Sequence, residues 1–257
     1  MKRLFRIAIA ATALLSTTAF TTPPDALQAQ FVAGRGVSMT TTYTDLDEPD
    51  FSFGSNYRVE FGPGGIVAVD KRERANPEFP SPPPRWLTFK NRAYCQGWLC
   101  PAPPTKTWVK YEGRSHFPEL SSGPIVLDRP ATMRALLASA TTKGRGGVYD
   151  GTRTTIYRGV ITFGDLHRIT PGSYRPTGKD AKQKIIWRLW IGRDGLVRRV
   201  WTSTSEDRET WVWTRITDSL LSGWGAKTHI QEPSASDSAT SDEWKGHPWG
   251  PPSLDIE

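Results

Sequence analysis

The stretch from Lys184 to Thr217 contains three runs rich in Ile, Val, Trp and Thr, separated by Gly-Arg-Asp-Gly and Glu-Asp-Arg. β-Branched and aromatic residues favour strands. Asp194-Gly195 is a strong short signal for a two-residue hairpin turn, because both central residues of that turn need φ > 0. The stretch therefore predicts a three-stranded antiparallel meander.

A two-residue turn at Asp194-Gly195 also fixes which residues face each other across the hairpin. The predicted pairs are Arg193 with Leu196, Trp190 with Arg199, Leu189 with Val200, Arg188 with Trp201 and Trp187 with Thr202. A four-residue loop from Gly192 to Gly195 would instead set Arg188 directly against Arg199, and like charges in that position are destabilising. We therefore predict the two-residue turn.

This register gives the meander two faces of different chemistry. The apolar face carries Ile185, Trp187, Leu189 and Ile191, with Val200 and Thr202 opposite. The other face carries Ile186, Trp190 and Trp201 beside Arg188 and Arg199. Arg–Trp neighbours on that face are expected to stack as cation–π pairs, each worth roughly 0.5–1 kcal/mol. The apolar face needs a cover, which could be helices, a second sheet or an apolar ligand.

The N-terminal segment has the pattern of a secretory signal, since three basic residues within the first six precede the apolar run IAIAATALLSTTAF. Cleavage after Ala19 is expected, so residues 1–19 form the signal peptide. Cleavage after Ala29 and a retained membrane anchor are the alternatives. No cysteine lies near this segment, so attachment through a lipidated N-terminal cysteine is not expected. The predicted location is secreted or cell-envelope, outside the cytoplasm.

Charge is unevenly distributed along the 257-residue chain, whose net charge is +7. Residues 20–230 hold 29 basic and 20 acidic residues, whereas residues 231–257 hold one Lys and six acids. We expect residues 20–230 to form one domain, and residues 231–257, which lack hydrophobic periodicity, to be a disordered acidic tail. A basic domain surface favours contact with a membrane surface or the cell envelope, and export makes nucleic acid the least expected partner.

The rest of the chain predicts helices and strands in alternating groups. Residues 24–33 predict a short helix, and Pro130–Ala140 predicts a second one with Asp128 as its N-cap. The apolar stripe of this second helix carries Met133, Leu136 and Leu137. Asp150-Gly151 predicts another hairpin turn, and Leu166–Lys182 predicts a long basic loop, either a lid or a plain linker. This order is typical of an antiparallel α+β fold with a sheet large enough to curve.

Motifs that carry catalytic chemistry are absent from the sequence, which contains no G-x-S-x-G, no H-E-x-x-H and no phosphate-binding loop. Cys95 and Cys100 are expected to form a disulfide, because disulfides persist in exported proteins. A catalytic or metal role for the pair is not expected, because the spacing is not Cys-x-x-Cys and two thiols alone cannot complete a zinc site. We expect no catalytic residue, no metal and no cofactor, and therefore a non-enzymatic protein. An enzyme acting on cell-wall polymer is a remaining alternative.

Two segments resemble a pattern in actinobacterial exported proteins of the LppX/LprG type, which are relatives of the LolA and RseB fold. The first resembles the T-T-x-Y-x-G strand of that group, through Thr154, Thr155, Tyr157 and Gly159. The second is similar to its Trp-then-Asp-Gly-Leu-x-Arg-Arg turn, through Trp190, Asp194, Gly195, Leu196, Arg198 and Arg199. The resemblance covers roughly residues 25–233. The N-terminal lipidated cysteine common in that group is missing, and the acidic tail lies outside the pattern.

The resemblance implies a strongly curved antiparallel sheet, a half-barrel, with helices across its concave face and an apolar cavity between them. In LolA- and LppX-like proteins such a cavity receives lipid acyl chains, whereas in RseB-like proteins the fold serves sensing and protein contacts. The expected ligand-binding residues are Met133, Leu136, Leu137, Ile185, Trp187, Leu189, Ile191 and Val200. An apolar ligand is therefore the expected partner, with a sensory module that has a packed interior as the alternative.

Overall fold

The computed structural model describes residues 22–76, 81–113, 118–170, 175–208 and 211–240, which form one large β-sheet with three short helices. The helices are α1 (Pro23–Gln28), α2 (Pro130–Ala138) and α3 (Phe163–Ile169). The strands are β1 (Arg35–Asp45), β2 (Glu48–Gly62), β3 (Gly65–Glu73), β4 (Arg85–Phe89), β5 (Arg92–Gln96), β6 (Trp108–Glu112), β7 (Ser121–Ser122), β8 (Ile125–Val126), β9 (Ala140–Tyr149), β10 (Thr152–Thr162), β11 (Lys184–Gly192), β12 (Val197–Arg208), β13 (Trp211–Lys227) and β14 (Ser238–Thr240). The predicted signal peptide, residues 1–19, lies outside the described residues.

Twelve strands form a single open, curved sheet in the order β14-β6-β5-β4-β3-β2-β1-β13-β12-β11-β10-β9. Neighbouring strands are antiparallel except β14 and β6, which run parallel. β7 and β8 form a separate hairpin. Two meanders, β1–β6 and β9–β13, meet where β1 pairs with β13, so that Asp45 lies opposite Arg215. The predicted α+β class with a curved antiparallel sheet is confirmed.

The register predicted for β11 and β12 is confirmed along most of the hairpin. Leu189 lies opposite Val200, Arg188 opposite Trp201 and Trp187 opposite Thr202. The predicted Arg–Trp stacking is confirmed too. The guanidinium carbon of Arg188 lies 4.3 Å from the ring centroid of Trp201, and that of Arg199 lies 4.8 Å from the ring centroid of Trp190.

The turn itself differs from the two-residue prediction. Gly195 N donates to Gly192 O at 3.0 Å, Gly192 N donates to Leu196 O at 2.9 Å, and Gly195 has a φ of 77°. This is a three-residue hairpin loop that ends in a glycine in the left-handed region. The ladder returns to the predicted pairing because it shifts next to Trp190, where Arg198 is an extra, bulged residue.

The bulge turns the Arg198 side chain toward the ends of two hairpins. Its Nη2 donates to Asp194 Oδ2 at 2.6 Å, and its Nε lies 3.8 Å from Asp150 Oδ2. Asp150 and Gly151 have φ values of 49° and 67°, so the second Asp-Gly turn is the two-residue type that the sequence predicted. Arg198 in the Leu-x-Arg-Arg pattern therefore joins the two turns.

Helix α2 does not begin on the predicted cap. Arg129 occupies the N-cap position and makes no side-chain capping bond. The Asp128 carboxylate instead accepts a hydrogen bond from Leu120 N at 3.0 Å, next to the β7–β8 hairpin. The Asp128 carboxylate therefore binds the backbone N–H of Leu120 and does not cap α2. The predicted Leu166–Lys182 loop contains part of α3 and a 3₁₀ turn, and residues 171–174 lie outside the described residues.

The predicted boundary of the disordered tail at residue 231 is wrong for residues 231–240. The Glu232 carboxylate accepts hydrogen bonds from Arg92 Nε and Tyr94 Oη, both at 2.8 Å. Ser238–Thr240 then forms β14 beside β6. These contacts attach the segment to the sheet, whereas residues 241–257 lie outside the described residues.

The two faces of the sheet carry separate cores. We call the face that carries Ile185, Trp187 and Leu189 the inner face, and the opposite one the outer face. The helices and the larger core lie on the inner face. Under the C-terminal segment, the outer face has a smaller core of Ala68, Leu87, Phe89, Tyr94, Trp108 and Ile230. The predicted Cys95–Cys100 disulfide is confirmed, with a Cα–Cα distance of 5.8 Å.

Candidate functional site between the sheet and the helices

The apolar wall of the candidate site is the inner face of β11 and β12. Alternate residues of a strand point to one face of the sheet. Ile185, Trp187, Leu189 and Val200 are accordingly all 0% exposed, and Ile191 is 4% exposed. All five belong to one hydrophobic cluster. The structure therefore gathers the wall that the sequence predicted.

Short elements cover this wall. Helix α2 contributes Met133 and Leu136, which are 2% and 0% exposed, and Leu137 packs against the same cluster from a half-buried position. Leu166 of α3 and Ile125 of β8 are also part of the cluster. All eight expected ligand-binding residues thus meet between the sheet and its cover.

The interior is closely packed in this structure. A side chain that is 0% exposed has no surface that a water molecule could reach, either from outside the protein or from an internal void. A narrow cavity of about 10 Å³ lies where α1, α2 and the β11–β12 loop meet, and Leu27, Met133 and Trp224 are among its lining residues. That volume suits about one water molecule. The eight residues are therefore in a closed arrangement, and their role in ligand binding stays a prediction.

Trp187 fills a place that a glycine on the next strand leaves free. Gly159 lies directly opposite Trp187 on β10. A Cβ at Gly159 would lie 2.4 Å from Trp187 Cζ2 and 2.7 Å from Ser139 O, closer than real Cβ atoms approach other atoms. The indole Nε1 is buried and has no hydrogen-bond partner among the described residues. Gly159 is therefore required for the packing of Trp187, and Nε1 has no acceptor among the described side chains and backbone groups.

A belt of buried hydroxyl groups borders the apolar wall. This hydroxyl belt consists of Thr41, Ser122, Thr202, Thr217 and Ser219, each at most 2% exposed. Ser219 Oγ lies 2.9 Å from Thr41 Oγ1 and 2.7 Å from Ser122 Oγ. The belt was not predicted from the sequence, although the Thr and Ser residues of β1 and β12 are a signal for it.

Beyond the belt the inner face becomes aromatic and charged. Arg215 forms two hydrogen bonds to the Asp45 carboxylate, at 2.8 and 3.1 Å, and its guanidinium carbon lies 4.1 Å from the ring centroid of Trp213. Phe53 stacks on Tyr43 with ring centroids 4.8 Å apart. An open groove of about 280 Å³ lies at this end, and its lining includes Phe53, Glu73, Arg74, Pro83, Pro84 and Trp98.

Ionisable side chains on this face form contacts with one another, such as those between Arg215 and Asp45 and between Tyr43 and Tyr57. Burial and the neighbouring Tyr43 raise the pKa of the Tyr57 hydroxyl well above its usual range.

Within the described ranges, no group of three or more His, Cys, Asp and Glu side chains is placed to hold a metal ion. None of the described helices is both long and apolar enough to cross a membrane. The inner face therefore combines buried apolar side chains, hydroxyl groups and aromatic rings.

Comparison with known proteins gives similar structures at low sequence identity. LprF from Mycobacterium bovis is 18% identical, with 83% of this chain and 97% of that chain covered and a TM-score of 0.45. A DUF1329 family protein from Desulfovibrio piger is 9% identical, with 81% and 93% covered and a TM-score of 0.31. No family model and no curated protein matches the chain.

Proposed function

We propose that this chain is an exported, non-enzymatic binding protein that holds a lipid or other apolar ligand between the inner face of the sheet and the helices. The observation that carries the proposal is the continuous apolar wall of β11 and β12, which within the described residues is covered by short helices and the β7–β8 hairpin. The Cys95–Cys100 disulfide fits an oxidising location outside the cytoplasm.

The helices that cover the apolar wall depend on contacts with it for their stability. α1, α2 and α3 contain 6, 9 and 7 residues, and helices shorter than about 12 residues are marginal on their own. Thr162 caps α3 by accepting a hydrogen bond from Asp165 N, whereas α1 and α2 have no side-chain capping bond to their backbone. Separation of α1 from α2 is therefore expected to be the local opening with the lowest free-energy cost.

The contacts near that opening suit a ligand with a long apolar part and a small polar part. The narrow cavity beside Leu27 and Met133 lies at the place where α1 and α2 would separate. Behind it, the wall offers apolar surface, and the unpaired Nε1 of Trp187 offers one hydrogen-bond donor. A ligand acceptor there would remove the cost of a buried, unsatisfied donor, which is about 1–3 kcal/mol.

Uptake of a fluorescent fatty acid by the full chain tests the proposal, with native mass spectrometry to detect lipid that co-purifies. Met133→Ala removes a side chain of the cover and is expected to increase uptake. Leu87→Ala is the matched control, because Leu87 lies in the smaller core on the outer face. Both substitutions should cost about 2–5 kcal/mol of stability. Saturable uptake that Met133→Ala raises above the control supports the proposal, and a chain that takes up no probe in any form contradicts it.

The second candidate is a sensory or protein-interaction module whose interior stays packed. The complete burial of Ile185, Trp187, Leu189 and Val200 favours it. Such a module would take up no fatty acid, and Met133→Ala would behave like its control. It would instead retain a protein partner in a pull-down, and substitution of surface residues such as Arg188 would release that partner.

A further inference from the structure

The outer face of β10–β13 carries exposed aliphatic side chains. Val160 and Ile186 lie directly opposite each other and are 44% and 47% exposed. Leu220 of β13 is 45% exposed. Leu220 lies on the same face, two strands away from Ile186 and four residues further along the ladder. A contiguous exposed apolar surface can mark an interaction site, and Val160 and Ile186 supply its centre here. We call the surface formed by Arg158, Val160, Ile186, Arg188, Trp201 and Leu220 the outer patch.

The outer patch also contains positive charge that the described structure does not neutralise. Arg158 lies directly opposite Arg188, and both side chains are exposed. Like charges in this position are destabilising. Neither arginine forms an ion pair with a carboxylate in the described part of the chain. The acidic residue nearest in the ladder, Asp218 beside Trp201, is bound by Arg199, whose Nε–Oδ1 distance is 2.8 Å.

Trp201 connects the charged and apolar parts of the patch. The Arg188 guanidinium stacks on its ring, which is half-buried. A stacked guanidinium keeps its charge beside an apolar ring, and tryptophan is favoured where one side of a surface is apolar and the other is wet. The patch therefore combines the side chains that suit the boundary between phosphate groups and acyl chains.

We propose that the outer patch binds the surface of a bilayer that contains anionic lipid. Phosphate groups would neutralise Arg158 and Arg188, and Val160, Ile186 and Leu220 would reach the boundary with the acyl chains. The patch lies on the face opposite the apolar wall, so a docked protein would keep its helices turned away from the membrane. This contact does not require that the interior holds a ligand.

Sedimentation of the full chain with vesicles tests the proposal. The vesicles contain phosphatidylcholine alone or phosphatidylcholine mixed with phosphatidylglycerol. Arg158→Gln combined with Arg188→Gln should lower partitioning onto the anionic vesicles roughly 30-fold, the effect of two cations at a charged bilayer surface. Lys90→Gln combined with Lys227→Gln removes the same charge at exposed positions outside the patch and should change partitioning little. All variants share the same N-terminal segment.

A second variant tests the apolar part of the patch. Ile186→Ser should weaken binding to anionic vesicles, while thermal unfolding without vesicles should stay close to that of the parent because the side chain is exposed. Bromine-labelled lipid should quench tryptophan fluorescence in the parent more than in Trp201→Phe. Equal losses in the arginine and lysine variants, no binding to anionic vesicles, or capture of an acidic protein in place of vesicles would each overturn the proposal.

Discussion

Substitution of Gly159 by alanine tests the packing of the apolar wall directly. The added Cβ would lie 2.4 Å from Trp187 Cζ2 and 2.7 Å from Ser139 O. Trp187 is 0% exposed, so its indole has no free space into which it can move. Ser139 O belongs to the backbone at the end of α2, so that side can yield only if the helix shifts.

The expected cost follows from these contacts. Overpacking of a filled core costs about 1–3 kcal/mol, and the loss of glycine's freedom in the unfolded chain returns about 0.4–1 kcal/mol. We therefore expect Gly159→Ala to lower the free energy of unfolding by about 1–2 kcal/mol. At roughly 2–4 °C per kcal/mol for a domain of this size, Tm should fall by about 2–8 °C. Urea titration and calorimetry measure both quantities.

Gly144→Ala on the neighbouring strand β9 is the matched control. A Cβ at Gly144 would meet no atom closer than Ile156 Cγ2 at 3.9 Å, so the variant should be as stable as the parent or slightly more stable. Trp187→Phe should cost less in the Gly159→Ala background than in the parent, because the smaller ring frees the space that the Cβ needs. Equal stability of the two alanine variants, or additive effects in the double variant, would refute the packing account.

The remaining predictions concern stability. Replacing Cys95 and Cys100 by alanine should cost about 2 kcal/mol, and a reducing agent should then lower the Tm of the parent alone. Burial opposes ionisation of Asp70, but hydrogen bonds from two arginines lower its pKa overall. The stability that the Asp70 carboxylate contributes is therefore lost as pH falls, and Asp70→Asn should flatten the acid side of a stability–pH curve. Burial raises the pKa of Asp128, so Asp128→Asn should gain on the parent as pH rises above 3.8. Ser219→Ala should cost about 1–3 kcal/mol, because it leaves buried hydroxyl groups unpaired.

Each of these has an outcome that would contradict it. A reducing agent that lowers the Tm of the cysteine variant as much as that of the parent would exclude the disulfide account. Parallel pH curves for parent and variant would exclude a role for either aspartate in the pH dependence. Ser222→Ala is the control for the hydroxyl belt, because Ser222 lies exposed on the same strand, and equal costs at the two serines would exclude the belt.

The hairpins were predictable because turn signals act over a few residues. The register of β11 and β12 survived even though the turn at Gly195 was of another type, because the bulge at Arg198 restored the pairing. The position of residues 231–240 was not predictable in this way. Glu232 binds Arg92 from 140 residues away, and a strand of three residues has no periodicity.

The members of the candidate site were predictable because apolar residues alternate along β11 and repeat along α2. Whether they enclose space was not, since that depends on how side chains from distant strands fill the volume. Phe61 of β2 and Met39 of β1 belong to the same cluster as Trp187, and nothing in the local sequence of β11 indicates how far they reach. The hydroxyl belt was missed for a related reason, because its members come from three separate strands and a hairpin.

The pairing of β1 with β13 has a consequence for the order in which the molecule is made. Within each meander, strands pair with neighbours that are close in the chain, whereas Asp45 and Arg215 are 170 residues apart. Joining them requires closing a loop that spans most of the polypeptide, which is slow compared with local hairpin formation. A nascent chain that lacks β13 has two half-sheets and no junction between them. The sheet therefore stays in two parts until β13 has been made.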